Sequence, residues 1–395
     1  MADVKTKPRA IAFRALTLVG LALLAFAYFS PVWWVSLKAP NYPEATFPDG
    51  IRIHFHMDSV RNGCVIRASK EVEETEALDC THEMDTINHY VGMYPIASGG
   101  PVEKAFSPFL FTFLGVMLVA FMIPGAKKRM AFSVLGYGAV ALWMGATMYM
   151  PGGVAYQGKG YLEGLVNGIG QDAGAEVDDA NLAPIVKQLK ESLEKSGIGT
   201  APPAMASGSG SRADLVAILR DNYNIDNLKR PPEKQQNWTG TGMQVLAWHY
   251  DKSLGRWFNI PEKNDRLAAT MTTVAHILFA GVLAAMALMV YAARSTRSKL
   301  YWLLVLLPAA VSPGFIVEYS GWLWWYGHSL NEMGAFTLKP FMPTVFGQGK
   351  VAQFTTYSYP HYGFGLMVAS TVVLLLAALI RRKQLQEAGP EAEDL

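Results

Sequence analysis

Apolar and polar positions fall in long alternating blocks along this chain of 395 residues, and six apolar runs stand out, at roughly 11–36, 106–124, 131–150, 268–293, 299–326 and 362–380. A hydrocarbon core about 30 Å thick is crossed by about 20 apolar residues of helix, so each run predicts a transmembrane helix. The resulting division is a first span to residue 36, a first outer segment 37–105, spans two and three over 106–150, and a second outer segment 151–267. Spans four and five over 268–326, a third outer segment 327–361, and span six with its tail over 362–395 complete it.

Shorter periodicities fill in the outer segments. Ile51, Ile53, Phe55 and Met57 alternate with Arg52, His54, His56 and Asp58, which predicts a half-buried strand with both histidines on its polar face. The Arg61-Asn62-Gly63 turn signal then predicts a hairpin, with Cys64-Val65-Ile66-Arg67 as the returning strand. If Cys80-Thr81-His82-Glu83-Met84 is extended, its thiol, imidazole and thioether share one side. In the second outer segment, Leu182–Gly197 and Ala213–Asp221 read as helices around a Pro, Ala, Gly and Ser linker from Ala201 to Ser211. Gln244–Tyr250 brings the chain back to the membrane. The expected fold is mainly α: a polytopic membrane protein with six transmembrane helices, a small β-rich outer segment and a helical outer insertion.

Charge sets the orientation. Six spans leave both termini on one side, and the basic residues choose which. Lys5, Lys7, Arg9 and Arg14 flank or enter the first span; Lys127, Lys128 and Arg129 fill one tight turn; Arg294, Arg297 and Lys299 fill the other; Arg381, Arg382 and Lys383 follow the last. All four clusters fall on one side, which the positive-inside rule makes cytoplasmic, so the expected location is a bacterial inner membrane with both termini inside. A hydrophobic content of 51% agrees, and a formal charge of +2 points to no nucleic-acid partner. Ala25-Phe26-Ala27 resembles a signal-peptidase site. The run nevertheless continues through Tyr28, Phe29, Val32, Trp33 and Trp34, which reads better as a retained anchor ending in an aromatic belt.

The candidate chemistry lies on or near the opposite, outer side. Seven of the eight histidines, His54, His56, His82, His89, His249, His328 and His361, fall in outer segments, and His276 lies about two turns inside span four. Several stand near Met and Cys, soft donors that suit Cu(I). His89 and Met93 would share a face at i, i+4 on a helical turn; the alternative is a packed methionine and a loop-bonded histidine. Cys64 and Cys80 suit a disulfide in an oxidising compartment, worth about 3 kcal/mol in the chain-entropy treatment, against a thiolate metal site. Glu318 is an ionisable group inside span five, a functional candidate by position, and with His276, His328 and His361 it could line a proton path or serve as structural polar contact. No C-x-x-C-H haem attachment site and no nucleophile, base and orienting triad occurs, which argues against a hydrolytic or transferase enzyme. A transporter would call for paired broken helices, and only span five, with Pro308, Pro313 and Gly314, is interrupted.

The stretches Pro31-Val-Trp-Trp-Val-Ser-Leu-Lys-Ala-Pro40, Tyr42-Pro43-Glu44, Asp49-Gly50-Ile51-Arg52-Ile53 and Asp85-Thr-Ile-Asn-His-Tyr-Val-Gly-Met93 resemble a family of bacterial polytopic membrane proteins. Trp325-Tyr-Gly-His-Ser-Leu-Asn331, Lys339-Pro-Phe-Met-Pro343 and Phe354-Thr-Thr-Tyr-Ser-Tyr-Pro360 are similar to its C-terminal signature. Members of that family accompany the copper maturation proteins of nitrous-oxide reductase. The resemblance implies a copper-linked or respiratory accessory role; together with ligand type and sidedness, the expectation is an accessory protein that handles copper on the periplasmic side, for delivery to or assembly of a periplasmic or membrane copper enzyme. His89 and Met93 would be the main ligands, with His54, His56 and His328 as helpers. The competing expectation is a non-catalytic structural or electron-transfer-linked subunit of a respiratory membrane complex. The insertion 151–267 and the Cys64, Cys80 pair depart from the compact family form.

Overall fold

A computed structural model of the protein describes residues 2–64, 79–96, 100–170, 210–258, 260–335, 338–351 and 353–389. The chain opens with helix α1 (Ala2–Phe29), strands β1 (Trp33–Lys38), β2 (Ile51–Phe55) and β3 (Val60–Asn62), and helix α2 (Cys80–Tyr90). Then come α3 (Pro101–Met122), α4 (Ala126–Tyr149), α5 (Lys159–Gly170), α6 (Arg212–Leu228), α7 (Gly242–Trp257) and α8 (Pro261–Ala292). The C-terminal part holds α9 (Leu303–Ala309), α10 (Val311–His328), β4 (Gly347–Val351), β5 (Phe354–Pro360) and α11 (Tyr362–Ala388).

Among the described residues five helices are long and apolar enough to cross a membrane: α1 from Pro8 onward, α3, α4, α8 and α11. Two of the six expected spans take a different form. The first helix stops at Phe29 rather than near residue 36, because Pro31 brings no N–H to the helical ladder and disfavours helical backbone at the residue before it. Trp33 and Trp34 therefore belong to β1 and not to an aromatic belt, and Trp33 is only 2% exposed. The fifth run is two helical pieces, Lys299–Ala309 and Val311–His328, bent by 63°. Pro313 cannot bond the carbonyl of Ala309; the Thr371 hydroxyl of α11 donates to that oxygen instead at 2.8 Å. The bend is thereby fixed by a neighbour.

The strands form a single antiparallel sheet in the order β3-β2-β1-β5-β4. Chain ends thus meet at its centre, where β1 pairs β5 from Trp33 opposite Pro360 to Lys38 opposite Thr355. The third outer segment contributes two strands that hydropathy alone did not suggest, so the first and third segments are one structural unit. Alternation along β2 is as expected, with Ile51 and Ile53 fully buried. The turn after it is not: His56 N–H bonds Ser59 O at 2.9 Å, and Arg61 and Asn62 lie in β3 rather than in a turn. Of the expected returning strand, residues 65–67 lie outside the described residues.

Cys80–Met84 is helical and not extended, because Asp79 caps α2 by accepting from Thr81 N–H at 2.9 Å. Cys80, Met84 and Ile87 face the sheet's apolar side together with Leu37, Ile51, Ile53 and Phe354. In the second segment the expected helix at Ala213–Asp221 is α6, started by a Ser211–Asp214 capping box and continuing to Leu228. Gln244–Tyr250 lies within α7. The expected helix Leu182–Gly197 and most of the linker fall outside the described residues. The segments between the long apolar helices touch one another: Asn331 N–H bonds Gly92 O at 2.7 Å, and His82 packs on Trp257 at 5.6 Å.

At the far end of the helices the basic clusters meet. Arg129 is fully buried, and its Nε–H donates to Ala293 O at 2.8 Å. Arg381, 1% exposed, bonds Tyr301 Oη at 3.3 Å and Gln384 Oε1 at 2.7 Å. Arg14 Nε–H donates to Met122 O at 3.2 Å, at the end of α3. One end of the bundle is cationic and the sheet lies at the other.

Candidate functional site

The sheet brings together three histidines from opposite ends of the sequence. His54 stands between Trp34 on β1 and Arg61 on β3, and its ring lies 5.2 Å from that of His361, the N-cap of α11. His56 follows at the end of β2. Burial first, then His361 and Arg52, hold the His54 imidazole below its ordinary range. His56 is pushed down to about 3, by burial first and then by Arg61, His54 and His361. All three are lowered, His361 by burial and then Arg52, so they are neutral at pH 7. The cations are themselves partnered, Arg52 with Asp49 at 3.5 Å and Arg61 with Asp58 at 3.6 Å. The tautomer at His361 matters for metal binding. Its Nδ1 accepts Tyr362 N–H at 2.9 Å, which leaves the proton on Nε2. A metal-bound histidine has the reverse arrangement, donating its second N–H outward.

His89 and Met93 do not share a face. Helix α2 ends at Tyr90, and Gly92 turns the chain with a φ of +80°. The His89 ring packs on Phe258 at 5.2 Å and Trp257 at 5.8 Å. Met93 turns elsewhere, 4% exposed and clustered with Val91 and Tyr326. His328, by contrast, is arranged as ligands are. Its Nδ1–H donates to Trp324 O at 2.8 Å, the ring stacks on Trp324 at 4.5 Å, and the residue is exposed. The Nε2 lone pair is left available.

The remaining predicted polar residues have separate surroundings. His276 Nδ1 and Tyr149 Oη are 2.7 Å apart on α8 and α4. Glu318 is exposed on α10, on a stripe with Gly314, Val317, Gly321, Trp324 and His328. His276, His328 and His361 thus have different immediate partners, Tyr149, Trp324 and His54. Cys64 and Cys80 form a disulfide, Cα–Cα 6.0 Å, joining the end of the hairpin to the start of α2. Among the described residues no three His, Cys, Asp or Glu side chains are grouped to hold a metal ion.

A buried ionic cluster was missed by the sequence reading. Asp58, Thr81, Lys104, Tyr161 and His249 line part of a small cavity of about 40 Å³ where residues 58–60, α2, α3, α5 and α7 meet. Asp85, fully buried, and Glu103, which accepts Trp322 Nε1–H at 3.0 Å, lie nearby on α2 and α3. His249 is pushed down to about 3 by burial and then by Lys104, Arg256 and Lys252. The available signal was Glu103-Lys104 directly before an apolar run; setting the span boundary at 106 placed both outside it. Compared with known protein families, with characterised proteins and with solved structures, the chain matches none.

Proposed function

We propose that the chain is a non-catalytic accessory subunit of a respiratory or copper-enzyme complex in a bacterial inner membrane. In this reading it crosses the bilayer six times, with its termini and basic clusters in the cytoplasm and the sheet in the periplasm. The disulfide supports an oxidising outer compartment. Parity supports the bent pair as a span: β1 and β5 share a sheet and hence a side, and the described helices between them that are long and apolar enough to cross are α3, α4, α8 and the α9–α10 pair. An even number of crossings makes that pair the fourth.

The observation that carries the subunit reading is the exposed stripe on α10. A carboxylate inside a membrane is costly unless it faces protein, water or a charge partner, and Glu318 lies on an exposed face between glycine notches at Gly314 and Gly321, with Val317 beside it. Small residues let a second helix approach closely. The fitting partner is a transmembrane helix of another subunit bearing a cation or hydrogen-bond donor. Purification from native membranes in mild detergent tests this. Wild type is expected to retain a stoichiometric membrane partner that Glu318→Leu loses. Recovery of the wild type as a lone chain, or only as copies of itself, would sink the reading.

His328 favours a second reading, copper capture, since its Nδ1 bond orients the ring and leaves Nε2 exposed. Met333 and Met342, both 46% exposed in the same segment, are available thioethers. This shifts the weight of the copper reading from His89 and Met93 to His328.

A further inference from the structure

Between the sheet and α10 lies an apolar cavity of about 80 Å³. Leu37 and Ile53 of the sheet, Ile87 of α2 and Val91 just after it, and Leu323 of α10 form much of its wall. One side chain in that wall is out of place. Asn88 on α2 is 5% exposed, and its Nδ2 has no hydrogen-bond partner among the described residues. Leaving a buried amide N–H unpaired is costly, and folded proteins keep few such groups. Tyr319, also in the wall, is already engaged, its Oη 3.3 Å from Ser358 Oγ. A buried water is held by two to four polar partners, and most of this wall offers none.

We infer that this cavity binds a lipid-soluble carbonyl compound, with the carbonyl oxygen accepting from Asn88 Nδ2 and a slim apolar body lying among the aliphatic side chains. The volume is about half the ~150 Å³ in which an engineered apolar cavity admits benzene. It suits a chain or the edge of one ring and excludes a fused ring system. Met84 and Met93, whose thioethers adapt to flat or irregular ligands, lie in the same wall. This gives the two methionines a role that does not involve a metal. Two membrane sources carry this chemistry, the head group of a quinone and the ester of an acyl chain. Only the source of the ligand rests on the membrane reading; the partner of α10 is not involved.

The test uses the full chain, purified and stripped of lipid, titrated separately with a decyl-substituted benzoquinone and with a medium-chain fatty-acid methyl ester. Native mass spectrometry reads stoichiometry and thermal unfolding reads stabilisation. Saturable one-to-one binding of either compound is expected, and which one binds identifies the source. Asn88→Leu should weaken binding at least about tenfold, while unfolding without ligand at a temperature no lower than wild type, because it removes an unpaired amide. Leu323→Trp, which fills the cavity and leaves Asn88 intact, should abolish binding. The inference is overturned if neither compound binds, if Asn88→Leu binds like wild type, or if ligand-free Asn88→Leu is clearly destabilised.

Discussion

His56 and His249 are held neutral by their surroundings, and this gives the protein a defined acid response. Both have folded-state pKa values near 3, against about 6.5 in an unfolded chain. The unfolded state therefore binds protons first as pH falls. Stability is complete above about pH 6.5 and drains away toward pH 3, with His249, only 8% exposed, contributing roughly 1 kcal/mol per pH unit within that window. Thermal unfolding in detergent should show the midpoint falling between pH 6.5 and 4.5, and His249→Gln should flatten that slope. An unchanged slope would mean that burial and the nearby Lys104, Arg256 and Lys252 do not hold the imidazole neutral. These two residues also mark what could be read from single positions. Alternation along β2 placed His54 on a polar face, but nothing local to His249 announced that Lys104, remote in sequence, would share its cavity.

At the scale of elements, pattern and capping chemistry were informative wherever a segment supplies its own reasons. The apolar helices, the β2 alternation and the start of α6 belong to that class. The misreadings arose where tertiary partners decide. Cys80–Met84 contains a spacing that would align three soft donors in a strand, yet Asp79 supplies an N-cap and the apolar side of the sheet takes Cys80, Met84 and Ile87 as a helix face. Strand β5 carried a usable signal in Phe354-Thr-Thr-Tyr-Ser-Tyr, rich in β-formers, but its partner β1 is more than three hundred residues earlier, and Trp33 bonds Ser358 Oγ across that gap at 2.8 Å. The disulfide clamps α2 to this sheet. Its sequence separation of 16 implies a stabilisation of about 3 kcal/mol from loop closure. Replacing both Cys64 and Cys80 by Ala should lower the unfolding midpoint markedly, and reduction of the wild type should reproduce the loss. Equal midpoints for the variant and the oxidised wild type would show that the clamp does not contribute.

For the whole molecule, the sheet constrains topology more tightly than hydropathy does. A bent pair such as α9–α10 is compatible with a broken span or with a re-entrant loop that leaves on the side it entered. The second option would place residues 347–360 on the side opposite residues 33–62, whereas the two are hydrogen-bonded as neighbouring strands. Six crossings therefore follow if α3, α4 and α8 each cross once, and α1 and α11 then carry both termini away from the sheet. The buried arginines at the opposite end, Arg129 on Ala293 and Arg381 on Tyr301, tie the basic turns together there. Single cysteines can read this directly, since Cys64 and Cys80 are paired and do not react with maleimide. Exposed Lys350 on β4 and exposed Lys128 at the start of α4 are suitable positions. In intact cells with a permeabilised outer membrane, Lys350→Cys should label with an impermeant maleimide, and Lys128→Cys should label only after the inner membrane is opened. Labelling of both from outside would break the parity argument and return α9–α10 to a re-entrant loop or one of the long helices to a surface position; the reverse pattern would invert the whole molecule and place the disulfide in a reducing compartment, where it would not persist.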